Sequence, residues 1–256
     1  MIFDTHAHYD DSRFDEDREA VLTSLSFHNV ARVVNVAADM DSVRTTLALA
    51  EQYSFIYAAI GVHPDDVAGL TDADMETLRT LSKHEKAVAI GECGLDYYER
   101  ETPRETQIYW FRQQLALAKE LDLPVIVHSR DAAEDTYRTV KETYTGDGAG
   151  IIHCFSYGVE MAREFLDLGY YIALGGVVTF KNSKKAKEVA AYVPEDRLLI
   201  ETDCPYLAPV PFRGTRNYSG HLSYVLDELA ALRGTDRERL EQATYENACR
   251  LYRLKA

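Results

Sequence analysis

Four cysteines in 256 residues, Cys93, Cys154, Cys204 and Cys249, include no CxxC pair. That is too few to staple a chain of this length, and it predicts free thiols in a reducing compartment. No apolar run approaches the ~20 residues that a membrane-spanning helix needs. The opening Met1-Ile2-Phe3-Asp4 lacks the basic and apolar regions of a signal peptide. The expectation is a cytoplasmic protein with no membrane association. Positive charge is also scarce: 28 Lys and Arg stand against 42 Asp and Glu, a formal net charge of -14. Such a chain repels a polyanion at long range, which argues against duplex-wrapping nucleic-acid binding and makes any phosphate site a local one. Part of the negative charge is of the kind that a bound metal neutralises. No Gly/Ser/Pro linker tract and no repeat divides the sequence, so residues 1–256 are expected to form one domain. No obligate protein partner is evident, and a monomer is expected.

The hydrophobic share of 46% and charged share of 27% suit an ordinary globular chain with a sizeable core, and disorder is not indicated. Short segments rich in Val, Ile and Tyr alternate with polar-faced helical patterns, the βα alternation of a parallel sheet. Eight can be named: Met1 to Asp4, Arg32 to Ala37, Ile56 to Val62, Ala87 to Gly91, Pro124 to Val127, Gly150 to Ile152, Tyr170 to Leu174 and Leu198 to Thr202. Eight strands in a chain near the usual ~250 residues predict an α/β fold of the TIM (β/α)8 barrel type. Thr102-Pro103-Arg104-Glu105 reads as a capping box opening a helix to about Leu121, with Leu115, Leu117, Ala118 and Leu121 on its apolar face. Thr235 to Glu238 reads as a second box before a C-terminal helix. Cys204 to Gly220 is irregular and proline-rich, and reads as a long functional loop.

His6 and His8, in Asp4-Thr5-His6-Ala7-His8, follow the first strand. Alternation puts residues two apart on one face with Cα atoms about 6.6 to 7 Å apart, a spacing from which two imidazoles can reach one metal through bonds of about 2.0 to 2.1 Å. Alone, HxH is a weak signal shared with ordinary polar strand ends. The others raise its value: Glu92 follows the fourth strand, His128 the fifth, His153 the sixth and Asp203 the eighth. In a barrel those ends surround a single cavity, so six metal-type ligands are expected to meet there. Cys93, Cys154 and Cys204 each follow a ligand, and alternation turns them outward as small buried hydrophobes. His63, in Gly61-Val62-His63-Pro64, ends the third strand and is expected to face the cavity, positioning substrate or shuttling a proton. His28 and His84 read as surface or capping residues, and the setting of His221 decides nothing. Arg130, Arg213 and Arg216, joined by Lys181, concentrate positive charge beside the expected metal and suit a phosphate. Tyr206, Phe212 and Tyr218 either stack on bases or pack the loop onto the barrel.

From these landmarks the chain resembles the TatD family of metal-dependent deoxyribonucleases, within the amidohydrolase-like barrels. The resemblance spans essentially the whole length. It rests on Asp4-Thr-His6-Ala-His8, Gly61-Val-His63-Pro64, Gly91-Glu92-Cys-Gly-Leu-Asp96, His128-Ser-Arg130, His153-Cys-Phe155, Gly175-Gly, and Glu201-Thr-Asp203-Cys-Pro-Tyr206 followed by Arg213-Gly214. It implies that His6, His8, Glu92 and Asp203 bind one divalent ion and Glu92, His128 and His153 a second, with Glu92 bridging. The implied activity is hydrolysis of DNA phosphodiester bonds, often from a 3′ end, with links to DNA repair or degradation. Asn217-Tyr218-Ser219-Gly220-His221 departs from relatives that carry Glu-Pro soon after the Arg-Asn pair, so loop contacts do not transfer.

The expected chemistry is attack by a metal-bound hydroxide. Asp203 is the expected general base, Glu92 a shared ligand, and His63 an aid to the leaving oxygen, with Arg130 and Arg213 offsetting phosphate charge. Imidazoles favour zinc, manganese or iron, and the carboxylates also admit magnesium. Two other readings stay open. One is hydrolysis of a carbonyl ester, amide or lactone on the same barrel, which does not need the arginines. The other is a non-catalytic metal-binding scaffold, which predicts metal uptake without turnover.

Overall fold

In the computed structural model, which describes residues 1–98 and 102–255, all eight apolar segments are strands. They are β1 (Ile2–Ala7), β2 (Val30–Val36), β3 (Ile56–Ile60), β4 (Ala87–Asp96), β5 (Val125–Arg130), β6 (Gly150–Ile152), β7 (Tyr171–Leu174) and β8 (Leu198–Ile200). All pairings are parallel and the sheet order follows the chain order. A bridge between Ala7 and Cys204 brings the segment after β8 back to β1. Helices run between the strands: α1 (Arg18–Ser24), α2 (Ser42–Gln52), α3 (Asp72–Leu81), α4 (Arg104–Leu121), α5 (Ala133–Thr143), α6 (Val159–Asp167) and α7 (Lys184–Tyr192), followed by α8 (Leu222–Arg233) and α9 (Arg237–Leu251). The fold is the expected TIM barrel. Among the described residues no helix is long and apolar enough to cross a membrane.

Alternation along parallel strands divides the apolar residues into two layers. Phe3, Val34, Val36, Ala59, Ile126, Ile151, Tyr171 and Leu199 fill the barrel interior, where Tyr245, Ala248 and Tyr252, from α9 and the turn that follows it, close one end. The second layer lies between strands and helices and takes Val33, Ile60, Leu115, Ala118, Val127, Phe165 and Val225. Cys93 and Cys204 belong to this outer layer, as expected. Cys154 departs from expectation: at φ 43 and half-buried, it sits in the turn after β6, where strand alternation no longer applies. All four thiols are free.

Both expected capping boxes are corrected. The N-cap of α4 is Pro103, because the Thr102 hydroxyl donates to Asp65 O at 3.0 Å. The N-cap of α9 is Asp236, whose carboxylate accepts from Arg239 N at 2.8 Å. A reciprocal box does open α3, from Thr71 to Asp74. Strands β1, β4 and β5 also run further than expected, reaching Ala7, Asp96 and Arg130. In β4 this extension depends on glycine. At Gly94, φ is +153, and a Cβ would stand 1.9 Å from His128 O on the neighbouring strand.

Candidate metal centre

The C-terminal halves of β1, β4 and β5 and the first residues after β3, β6 and β8 converge on a cavity of about 490 Å³. Its lining includes His8, His63, Glu92, His128, His153 and Asp203, and His6 is fully buried against it. Glu92 is the hub. Its Oε1 lies 2.7 Å from His128 Nδ1 and 2.7 Å from His153 Nε2, and its Oε2 lies 3.2 Å from His6 Nε2 and 3.7 Å from His8 Nε2. Asp203 Oδ1 is 3.4 Å from His8 Nε2 and 3.7 Å from His6 Nε2. The fold thus gathers all six expected ligands, with one Glu92 oxygen toward each of the two expected groups.

These donors fit divalent ions. The Nε2 atoms of His6 and His8 are 3.0 Å apart, close to the roughly 3.3 Å that separates two nitrogens on one tetrahedral zinc. The far nitrogens of two expected ligands are fixed by acceptors: His8 Nδ1 meets Val36 O at 2.8 Å and His128 Nε2 meets Asp96 Oδ2 at 3.0 Å. Each such bond places the ring proton away from the centre and leaves the inward nitrogen its lone pair. The field has the matching sign. Burial opposes ionisation of Glu92, yet His153 and His6 hold its carboxyl well below the usual carboxylate range. Burial likewise opposes charge on His8, yet the hydrogen bond and charge of Asp203 carry it up to about 9. Ionised carboxylates, whose negative field raises His8, His128 and His153 while burial lowers His6, make a cavity in which a cation can take the place of those protons.

His63 faces the cavity as expected. Its Nε2 is 3.8 Å from Glu92 Oε1 and its ring meets His128 edge-on at 4.4 Å. The backbone N–H of Asp65 donates to its Nδ1 at 3.3 Å, which leaves the proton of the neutral ring on Nε2, toward the cavity. Burial, with His128 adding, pushes the His63 pKa down to about 3.

The expected phosphate-binding residues are more scattered. Arg130 is exposed with its guanidinium 3.8 Å over the Tyr98 ring, and Arg213 lies 4.0 Å over Phe180. Lys181 is exposed in the turn after Phe180. Arg216 is not brought to the cavity. Its guanidinium bonds both Asp17 oxygens, at 2.8 and 2.6 Å, and the Arg13 carbonyl at 2.6 Å, beside a separate groove lined by His221 and Phe212. That pairing engages the guanidinium that was expected to bind substrate. Of the loop aromatics, Tyr206 lines the cavity, whereas Phe212 and Tyr218 pack on His221 with ring centroids 4.3 and 4.5 Å away. His28 bonds Tyr218 Oη at 3.2 Å and His84 pairs with Glu51 at 3.1 Å, both as surface residues.

Three carboxylates escaped assignment from sequence. Asp96 holds His128, and Glu201 stands behind His153. Asp4, fully buried, accepts from Thr202 N, Thr202 Oγ1 and Ser219 Oγ at 3.0, 2.6 and 2.6 Å, tying β1 to the segment after β8. Each stood inside or beside a ligand motif, a signal that marks the neighbourhood without giving the role.

Comparison with known proteins agrees with this geometry. The family model described as TatD related DNase matches residues 3–253. A Bacillus subtilis (strain 168) protein described as an uncharacterized metal-dependent hydrolase, YabD, is 46% identical over 254 residues, covering 99% of this chain and 100% of the relative. Escherichia coli (strain K12) YcfH, also described as a metal-dependent hydrolase, is 37% identical over 259 residues, 100% of this chain and 97% of its own. The crystal structure of YjjV, a TatD homologue from Escherichia coli K12, superposes with a TM-score of 0.93 at 33% identity, covering 99% of this chain and 98% of that one. With a barrel, a histidine and carboxylate centre and relatives matched end to end, this chain belongs to the TatD-related family of metal-dependent hydrolases.

Proposed function

We propose that the protein is a deoxyribonuclease that hydrolyses phosphodiester bonds at single-stranded DNA ends, trimming from the 3′ terminus. The carrying observation is Glu92, whose two oxygens each face a different group of imidazoles, an arrangement suited to a pair of divalent ions. His6, His8, Glu92 and Asp203 would hold one ion and Glu92, His128 and His153 the other. When bound, such ions lower the pKa of water toward neutrality and clamp phosphorus-bound oxygens during in-line attack.

The protein's own groups divide the remaining work. Asp203 takes up the proton of the attacking water, and its side chain remains partly accessible from the cavity. Its φ of 56 is a strained value for a non-glycine residue, held by the bond from its N–H to His6 O at 2.9 Å. His63 presents Nε2–H to the leaving oxygen. The cavity wall formed by Asp10, Asp39 and Asp66 repels phosphate, which directs the strand toward Arg130 and Arg213.

The test uses single-stranded DNA labelled separately at each end, incubated with Mg²⁺, Mn²⁺, Zn²⁺ or chelator. Metal-dependent shortening from the 3′ end is expected, and Glu92→Ala or Asp203→Ala should lower the rate by at least ~10³. Intact DNA beside rapid cleavage of a carbonyl ester overturns the proposal in favour of the second reading. That reading draws support from the acidic wall, which tolerates an uncharged or cationic substrate better than a polyanion.

A further inference from the structure

Four of the imidazoles at the centre are candidate ligands, and each of these must offer a lone pair inward and find an acceptor for the proton on its other nitrogen. Val36 O serves His8 and Asp96 serves His128. For His6 and His153 the far atom is Nδ1, and both Nδ1 atoms are buried without a hydrogen bond of good geometry. The two rings are stacked, with centroids 4.0 Å apart and planes 14° from parallel, and their Nε2 atoms meet opposite oxygens of Glu92. Their Nδ1 edges therefore lie side by side, away from Glu92.

Behind them stands Glu201, only 1% exposed. Its Oε1 accepts the Cys154 N–H and lies 3.5 Å from His153 Nδ1. Its Oε2 is buried with no partner. One ring nitrogen of His6, one of His153 and a Glu201 oxygen all fall within 4.8 Å of one another. A buried carboxylate oxygen left unpaired is costly and calls for an explanation. Gly175 lets the Glu201 backbone approach closely, since a Cβ there would come 2.9 Å from Glu201 O.

We propose that Glu201 is a positioning carboxylate shared by both metal sites: Oε1 receives the Nδ1–H of His153 and Oε2 the Nδ1–H of His6. The inference rests on the two-ion reading above, because His6 and His153 belong to different ions. One carboxylate then sets the ring orientation of a ligand on each side of Glu92 and couples occupancy of the two sites.

Glu201→Gln keeps the side-chain size but replaces one acceptor by an NH₂ group. The amide oxygen can serve His153 and Cys154, while the NH₂ meets the His6 N–H donor to donor. With Co²⁺ or Zn²⁺ and a competing chelator, one of two equivalents should bind about 10- to 100-fold more weakly than in the wild type. The wild-type protein supplies a readout that does not depend on the variant folding. In ¹⁵N-histidine NMR of the Zn²⁺-loaded chain, His6 and His153 should be ligated through Nε2 and show slowly exchanging, downfield Nδ1–H protons. Ligation through Nδ1, or rapidly exchanging Nδ1–H protons, overturns the proposal. So does a folded Glu201→Gln protein that binds both equivalents as tightly as the wild type, or that loses only a third equivalent. Wild-type protein that takes up fewer than two equivalents overturns the two-ion reading itself, and is recognised before any variant is compared.

Discussion

His221 shows how burial alone can turn a side chain of undecided role into a measurable one. It is buried, stacked on Phe212 at 4.3 Å and 9°, with Asn217 Oδ1 3.0 Å from its Nδ1. Burial, with His28 adding, pulls its pKa from 6.5 down to about 4. Between those values the folded chain binds fewer protons than the unfolded one, so stability is present above the upper value and is lost as pH falls toward the lower. The contribution is on the order of 2 kcal/mol after allowance for solvent screening. Urea unfolding of metal-free protein at pH 7.5 and pH 5 should show this loss, and His221→Phe should reduce it. An unchanged loss in the variant rules out His221 as its source. Among the candidate ligands, His6, His8, Glu92, His128, His153 and Asp203 were legible because each stands where an apolar run stops. Glu201 and Asp96 were not, because each acts on an imidazole from another strand, a relation that chain order does not contain.

At the scale of elements, β4 carries the centre because it can run unusually close to its neighbours. Gly94, at φ +153, leaves no space for a side chain beside His128 O, and Gly61 would drive a Cβ to 2.6 Å from the Gly91 Cα. Gly94→Ala should therefore cost at least ~3 kcal/mol of stability, through backbone strain together with displacement of β5. Gly69→Ala, with nothing within 4 Å, should stay within ~0.5 kcal/mol. Denaturant titration of the two variants checks both, and a Gly94→Ala protein as stable as the wild type would show that β5 gives way freely. Strand existence was legible from apolar runs, whereas their ends were not. The continuation of β4 to Asp96 and β5 to Arg130 comes from pairing of Leu95 with Ser129 and Asp96 with Arg130. Caps were misplaced for a related reason: Thr102 fits a capping pattern, but Asp65 O, distant in sequence, claims its hydroxyl.

For the whole molecule, the C-terminal helix closes the barrel against its first strand. The N-terminal amine meets Glu241 of α9 at 2.7 Å, and Tyr252 Oη donates to Thr5 O at 3.1 Å, so the C-terminal region anchors the strand that carries His6 and His8. Phe3, fully enclosed between the rings of Tyr245 and Tyr252 at 6.1 and 5.7 Å, is the packing centre of that anchor. Phe3→Ala should lower the unfolding free energy by about 3–5 kcal/mol. A divalent ion at 100 times its dissociation constant should stabilise the folded chain by about 2.7 kcal/mol, roughly 5–10 °C for a protein of this size. Thermal unfolding with Zn²⁺ or Mn²⁺, reversed by chelator and lost in Glu92→Ala, reads this directly. Equal midpoints with and without ion would argue against a preformed centre.

The sequence by itself determined the architecture and which candidate ligands meet, because apolar periodicity dictates which segments become strands and a parallel barrel gathers its strand ends around one cavity. Only the tertiary structure decided which nitrogen each histidine turns inward, which arginine is neutralised by an acid, and which carboxylate stands behind which imidazole. Those choices are made by groups far apart in the chain competing for the same hydrogen bond, and they are settled only when the barrel closes.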